Sequence, residues 1–217
     1  MQSPIFITGI GTDVGKTLVS TIVTEAICGN YWKPVQAGFA EGTDAEWVRA
    51  HLLNTQSQVY PELYRLETPA SPHIAARKEG KEISGKGIVE KARELLSISG
   101  KTPLIIEGAG GLLVPLSDNL MVADLIKELN AKLILVSRNY LGSINHSLLT
   151  ANYCRYLGLN VAGWIFNDDY LSYEEEIVEW SGYPSIGSIP AMKELTKTSI
   201  HEQAEKIKES LLVHLKW

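Results

Sequence analysis

The sequence predicts an α/β fold, a mostly parallel β-sheet flanked by helices on both faces. Two observations predict it. Short apolar, β-favouring runs alternate with stretches of helical periodicity, the pattern of parallel strands joined by crossover helices. The first such pair is Ile5-Phe6-Ile7 and a helical run marked by Leu18, Ile22, Ala26 and Ile27. Between them lies Gly9-Ile10-Gly11-Thr12-Asp13-Val14-Gly15-Lys16-Thr17. Strand, glycine loop and helix in that order make a phosphate-binding loop, so the expected class is a P-loop NTPase-like fold. The 217 residues suffice for one sizeable core, and no repeat, low-complexity segment or linker divides them. Residues 1–217 are therefore expected to form a single P-loop α/β domain.

Pro4 opens the first strand, as a strand's first residue permits. In the loop, glycines let the backbone approach a polyphosphate closely. The free N–H groups and positive end of the following helix favour anions. Lys16 is placed to reach the β- and γ-phosphates, and the Thr17 hydroxyl to ligate Mg²⁺. The loop is a variant, because the strict spacing asks for glycine where Ile10 stands. Tyr31-Trp32-Lys33-Pro34-Val35 reads as the second strand, followed by Gln36-Ala37-Gly38. Thr43 then caps a helix through Trp47, Val48 and Leu52. Residues 54–82 are mixed, with Pro61, Pro69 and Pro72 marking turns. Residues 84–99 form a helix with Ile88, Ala92, Leu95 and Leu96 on one face. Leu104-Ile105-Ile106 is a buried strand running into Glu107-Gly108-Ala109-Gly110-Gly111. Residues 132–137 and 161–166 are two more apolar strands, and Ile144, Leu148 and Ala151 mark the helix between them. Residues 185–190 give a last strand and turn, and residues 200–215 a final helix of mixed charge that reads as a packed surface helix.

The net charge is −5, with acids and bases interspersed and no basic stripe, which argues against a nucleic-acid partner. Cys28 and Cys154 lie far apart in apolar helical stretches, so buried free thiols are expected rather than a disulfide or metal site. The five histidines show no ligand spacing. No apolar run approaches the ~20 residues of a membrane span. The first residues lack a basic region and apolar signal core. A cytoplasmic protein without a membrane partner is the expectation.

A parallel sheet presents functional residues at the carboxyl ends of its strands. Lys33, Glu107 and Asn167 stand at such ends, and Asp44 begins the helix after the second strand. Thr17, Asp44 and Glu107 make a hard-oxygen set suited to Mg²⁺ beside phosphates. Asp44 reads equally as an acid favoured at a helix start. Glu107, between a buried strand and Gly-Ala-Gly-Gly, is poorly explained by packing. Lys33 is either a snorkelling lysine at a sheet edge or, with Lys16, a concentration of positive charge where a phosphoryl group or carbamate becomes negative.

These stretches, with Ser71-Pro72-His73, Leu141-Gly142-Ser143-Ile144-Asn145-His146 and Gly163-Trp164-Ile165-Phe166-Asn167, resemble the dethiobiotin synthetase family, in the family's order and across most of the chain. The resemblance implies a cyclo-ligase of biotin biosynthesis, forming carbon–nitrogen bonds. Its substrates would be 7,8-diaminononanoate, CO₂ or bicarbonate, and ATP with Mg²⁺. It would close the ureido ring of dethiobiotin through a carbamate and a carbamic–phosphoric anhydride, releasing ADP and phosphate. By resemblance, Thr12, Lys16 and Lys33 would carry the chemistry, and Thr17, Asp44 and Glu107 would hold Mg²⁺. The nucleotide would lie along Asp13, Val14, Gly15, Lys16, Thr17 and Leu18, with Asp44, Glu107, Gly108, Ala109 and Gly110 beside it. Asn167, Asp168, Ile189 and Pro190 would meet the base. The diamine would meet Thr12, Lys33 and Ala37, with its carboxylate on Gly142, Ser143 and Asn145 across a homodimer interface. His73 belongs to a family motif near the site, with no chemistry assigned.

Several positions depart from the family. Ile10-Gly11 replaces a usual Thr-Asp, Asp13 a usual Glu or Gly, and Ala37 a small hydroxyl residue. The first helix and the segment after Pro190 are short against the family. Two rival readings carry their own signatures. A guanine-specific switch protein would show Asn-Lys-x-Asp, and a partitioning ATPase a lysine where Gly11 stands; neither is present. A cobyrinate-type amide synthetase would normally bring a glutaminase domain.

Overall fold

The computed structural model describes residues 3–168 and 170–216. The chain opens with β1 (Ile5–Gly9) and α1 (Lys16–Ile27), then β2 (Asn30–Trp32), β3 (Val35–Ala37) and α2 (Asp44–His51). β4 (Val59–Tyr60), β5 (Tyr64–Leu66), α3 (Pro72–Lys78) and α4 (Gly85–Ser99) follow. Next come β6 (Leu104–Gly111), β7 (Pro115–Ser117), β8 (Leu120–Met121) and α5 (Val122–Glu128). The chain continues through β9 (Lys132–Arg138), α6 (Ser143–Leu157), β10 (Asn160–Asn167), α7 (Glu174–Ser181), β11 (Ser185–Ile189) and α8 (Lys197–Leu215).

The main sheet runs β11-β10-β9-β1-β6-β2-β4, and every neighbouring pair is parallel. From central β1 the strands extend both ways, which makes its carboxyl end a topological switch point where ligands bind. Ile5 and Ile7 face α1 and α8, packing with Ile22, Ile134, Ile200 and Leu211. Phe6 faces the other side, with Trp32, Ile88, Leu125 and Ala151. Burial on both faces explains why these strands read as continuous apolar runs. The Thr43 hydroxyl accepts from the Glu46 N–H at 3.2 Å while Glu46 accepts from the Thr43 N–H at 2.9 Å, a reciprocal cap that fixes the start of α2 and so the position of Asp44.

The structure corrects several expectations. The strand expected over residues 31–35 is two strands. β2 ends before Lys33 because Pro34 has no N–H to continue the ladder. β3 pairs instead with β5 in a small separate sheet, and the Pro34 carbonyl accepts from Leu63 and Tyr64. Glu107 does not close its strand, since β6 runs on to Gly111. Pro72 is the first residue of α3, where its fixed φ suits a helix start, rather than a turn. The hairpin of β7 and β8, and helices α5 and α7, were not expected. Cys154 is buried and free as expected, but Cys28 is half-buried and ends α1 in a left-handed conformation.

Glu25, on α1, ties three elements together. Its Oε2 accepts from the Leu53 and Asn54 N–H groups, each at 3.0 Å, and from Asn54 Nδ2 at 2.8 Å, while Oε1 accepts from His201 Nδ1 at 2.9 Å. Burial pushes the carboxyl pKa up, but the hydrogen bonds from Asn54, His201 and Leu53 outweigh it and hold the pKa below the ordinary value. The folded carboxyl therefore binds its proton less tightly than the unfolded one. Its contribution is complete above the unfolded pKa of about 4.3 and is lost as pH falls through the lower folded value. Glu25→Gln is expected to cost about 1–3 kcal/mol near neutral pH, with the gap to the parent closing in acid. Urea titrations across the acidic range measure this, and a gap constant with pH would contradict it.

Candidate active site

The glycine loop leaves β1 and delivers α1 without a side-chain cap. Gly15 precedes α1 at φ +88, and no side chain occupies the first-turn N–H groups. Those groups are the orphan donors of every helix start and are free for an anion. Only glycine fits at position 15, because a Cβ there would overlap the Asn167 amide, whose Nδ2 donates to the Val14 carbonyl at 3.1 Å. Asp13 takes φ +58, a conformation Asp tolerates better than most residues, so the variant loop still turns tightly.

A cavity of about 770 Å³ opens above this loop. Of the residues singled out in the sequence, it gathers Thr12, Asp13, Gly15, Lys16, Thr17, Lys33, Ala37, Asp44, Glu107, Ala109 and Gly110. Lys16 is buried and donates to the Gly11 carbonyl at 2.7 Å. Burial lowers its pKa to about 8, although the Glu107 charge opposes that shift. Lys33 follows β2, and its ammonium bridges Asp44 and Glu107, the latter at 3.2 Å from Oε1. Burial pulls the Lys33 pKa down, but the two carboxylates more than compensate and leave it above the ordinary lysine value. Glu107 Oε1 also accepts from the Thr17 hydroxyl at 3.0 Å, and Oε2 accepts from the Tyr31 hydroxyl at 2.9 Å. Burial, then the Glu107 and Asp44 charges, push the Tyr31 pKa well up, so it stays a neutral donor.

Thr17, Asp44 and Glu107 thus meet around a point where a cation, the Lys33 ammonium, already sits between two carboxylates. Hard oxygens around a site of cationic preference fit Mg²⁺, which commonly takes one or two carboxylates and keeps water and phosphate oxygens for the rest. Among the described residues no group of three or more His, Cys, Asp or Glu gathers as a metal site.

The remaining sequence candidates lie elsewhere. Val14 is buried beneath the loop and Leu18 packs against the core. Gly108 lies against the Phe6 ring. Asp168 pairs with Arg138 at 3.3 Å, and its N–H donates to the Ile189 carbonyl. Asn167, Asp168, Ile189 and exposed Pro190 therefore cluster beyond Val14 and Gly15, on the opposite side of the loop from Lys33. Gly142 caps α6 at φ +102 with no side-chain cap bond. Ser143 is buried and Asn145 exposed, and neither lines the cavity. A second, apolar hollow of about 370 Å³ adjoins the first. It shares Thr12 and Val114 with the first, and Leu112, Leu149 and Tyr153 wall it with His146 of α6. Sequence reasoning gave no site role to Tyr31, Gln36 or Ser71, although Gln36 and Ser71 lie in stretches that carry the family resemblance. Tyr31 sits in an apolar strand and reads as core. Gln36 and Ser71 carry no spacing signal, although Ser71 Oγ lies 3.1 Å from His73 Nδ1, which brings His73 near the cavity.

A parallel sheet with a glycine loop after its central strand, and paired lysines and acids at that strand's end, defines a P-loop protein of the NTPase fold. The family model described as "AAA domain" matches residues 3–199. The chain is 46% identical over 203 residues to the ATP-dependent dethiobiotin synthetase BioD of Cytophaga hutchinsonii, covering 93% of this chain and 95% of that protein. It is 40% identical over 212 residues to the protein of that name from Christiangramia forsetii, covering 97% and 99%. Among solved structures, the ParA family ATPase of Chlorobium tepidum aligns over 99% of this chain and 98% of its own, with TM-score 0.59 and 14% identity. The MinC:MinD cell division protein complex of Aquifex aeolicus aligns over 99% and 94%, with TM-score 0.60 and 14% identity. These two show the fold alone. The chain belongs to the dethiobiotin synthetase family.

Proposed function

We propose that this chain closes the ureido ring of dethiobiotin from 7,8-diaminononanoate, CO₂ and ATP, releasing ADP and phosphate. The observation that carries the reading is Lys33. It stands at a strand end in the phosphate-loop cavity with Lys16, and bridges the acids Asp44 and Glu107. One amine of the substrate adds to CO₂ and loses a proton, giving a carbamate. A carbamate oxygen attacks the γ-phosphorus, and ADP leaves. The second amine then attacks the carbamoyl carbon, closes the ring and expels phosphate. Negative charge grows on the carbamate and the transferring phosphoryl group, where the Lys16 and Lys33 ammonium groups and the loop N–H groups stabilise it. Thr17, Asp44 and Glu107 would hold Mg²⁺, which offsets charge on the β- and γ-phosphates. Thr12 borders both hollows, so its hydroxyl serves the point where diamine and phosphate meet. The aliphatic chain of the diamine suits the apolar hollow beneath Leu112 and Leu149. The base lies toward Asn167, Asp168, Ile189 and Pro190.

The carboxylate end of the diamine meets Gly142, Ser143 and Asn145 at the α6 N-terminus of a second protomer. A homodimer is supported by the exposed Leu113 and Leu149 that line the hollow and by exposed Leu141 just before α6. Residues 1–217 act as one domain, a reading supported by a cavity whose walls come from the glycine loop, α1, β3, α2 and β6 together. No helix among the described residues is long and apolar enough to cross a membrane, and a cytoplasmic enzyme is consistent with that. The test measures ATP turnover and dethiobiotin formation with and without diamine and bicarbonate. Turnover that needs both, with one ADP per dethiobiotin, is the expected result. ATP hydrolysis indifferent to both would favour a switch protein instead.

A further inference from the structure

We propose that Tyr31 is a positioning residue for Glu107, dividing the work of its two carboxylate oxygens. The proposal rests on the reading of Glu107 as a Mg²⁺ ligand. Tyr31 is fully buried, and its ring packs with Ala45, Val48 and Leu52. That packing needs only a ring. The hydroxyl has a separate task, since it donates to Glu107 Oε2. The sheet register brings the two together. Tyr31 on β2 pairs with Ile105 on β6, and Glu107, two residues further, points to the same face. The Glu107 side chain is wholly buried, so Oε2 is satisfied by the phenol rather than by bulk solvent. Oε1, by contrast, meets Thr17 and Lys33, both of which line the cavity. Tyr31 thus anchors one oxygen to the protein wall and turns the other toward the cation and phosphates. Among the described residues, Thr17 and Lys33 engage the cavity-facing oxygen and Tyr31 is the side chain that holds the other from behind. Partners of this kind orient a metal ligand, and losing one commonly weakens metal binding by about 10–100-fold.

The test uses Mn²⁺ as the probe, titrated into full-length protein saturated with ADP and followed by the electron paramagnetic resonance of free Mn²⁺. Tyr31→Phe keeps the ring and removes only the hydroxyl. Mn²⁺ binding is expected to weaken by about 10–100-fold, with ADP affinity in excess chelator and the metal-free melting temperature close to the parent's. A purely structural tyrosine would lower the melting temperature and leave Mn²⁺ affinity in place, which would overturn the proposal. Equal weakening of metal-free ADP binding would overturn it too, as a general distortion. Glu107→Gln is measured alongside. If Glu107→Gln loses Mn²⁺ affinity while Tyr31→Phe stays within about threefold of the parent, the positioning role falls and the metal reading stands. If neither variant changes Mn²⁺ binding, the metal reading falls and takes the proposal with it.

Discussion

Lys33→Met is expected to lower kcat for dethiobiotin formation by about 10²–10³ while leaving ATP binding near normal. A charged donor in a water-poor site contributes roughly 3–4 kcal/mol to the transition state when it faces developing charge. Lys33 is buried, and its ammonium is kept charged by Asp44 and Glu107, so it is ready to meet a carbamate or phosphoryl oxygen without desolvation at that moment. Lys16 is poorly placed to substitute, being held against the Gly11 carbonyl at 2.7 Å. Pro34 restricts the backbone beside Lys33 and limits compensating movement. The ion pairs sharpen the expectation. Without Lys33, two acids face each other unpaired, and like charges raise the attraction for a divalent cation. Metal affinity should therefore hold or strengthen as the rate falls, a split that marks a group acting on the transition state. Calorimetry of nucleotide and Mn²⁺ binding beside product formation at saturating substrates reads both sides. A loss below about tenfold in kcat would reduce Lys33 to a neutraliser of Asp44 and Glu107.

What the sequence made legible follows from how each feature writes itself into residue order. β1, β6, β9 and β10 were readable because strands buried on both faces are uninterrupted apolar runs. Glu107 was readable because a carboxylate straight after Leu104-Ile105-Ile106 contradicts its surroundings. The break at Pro34 was hidden, since Trp32, Val35 and the residues between them still read as one β-favouring stretch, and only the change of pairing partner from β6 to β5 separates them. The β7–β8 hairpin is two or three residues a side, too short for any period to register. α7 opens with three glutamates, an acidic first turn that suits the helix dipole yet offers little apolar periodicity. Tyr31 shows the deeper limit. Its ring belongs to the core and its hydroxyl to the site, and a linear sequence displays only the first. The contact with Glu107 spans 76 positions and exists only because β2 lies beside β6.

A chain carrying Asn145→Ala, mixed with one carrying Lys16→Ala, is expected to regain activity that neither has alone. Asn145 is exposed in the first turn of α6 and lines neither hollow of its own chain. The next residue, His146, borders the apolar hollow, so the start of α6 lies at its rim and faces outward. Gly142 leaves that helix start without a side-chain cap; the Ser143 N–H donates to the Tyr140 carbonyl, and the other first-turn N–H groups suit a carboxylate. Exposed Leu113 and Leu149 line the same hollow, and exposed Leu141 stands just before α6, apolar surface that a second copy would cover. In the proposed homodimer, a two-fold pairing would place the α6 start of each protomer over the hollow of the other. Each homodimeric variant then has two damaged sites, one lacking the carboxylate anchor and the other the phosphate lysine. A heterodimer collects both lesions in one site and leaves the other whole. With equal amounts and free exchange, about half of the dimers are mixed and about a quarter of all sites are intact. Recovery toward that fraction of parent activity is the expected outcome, measured after unfolding and refolding the two chains together, with differently tagged subunits to count heterodimers. Heterodimers that form without restoring dethiobiotin synthesis would mean that Asn145 serves the site of its own chain.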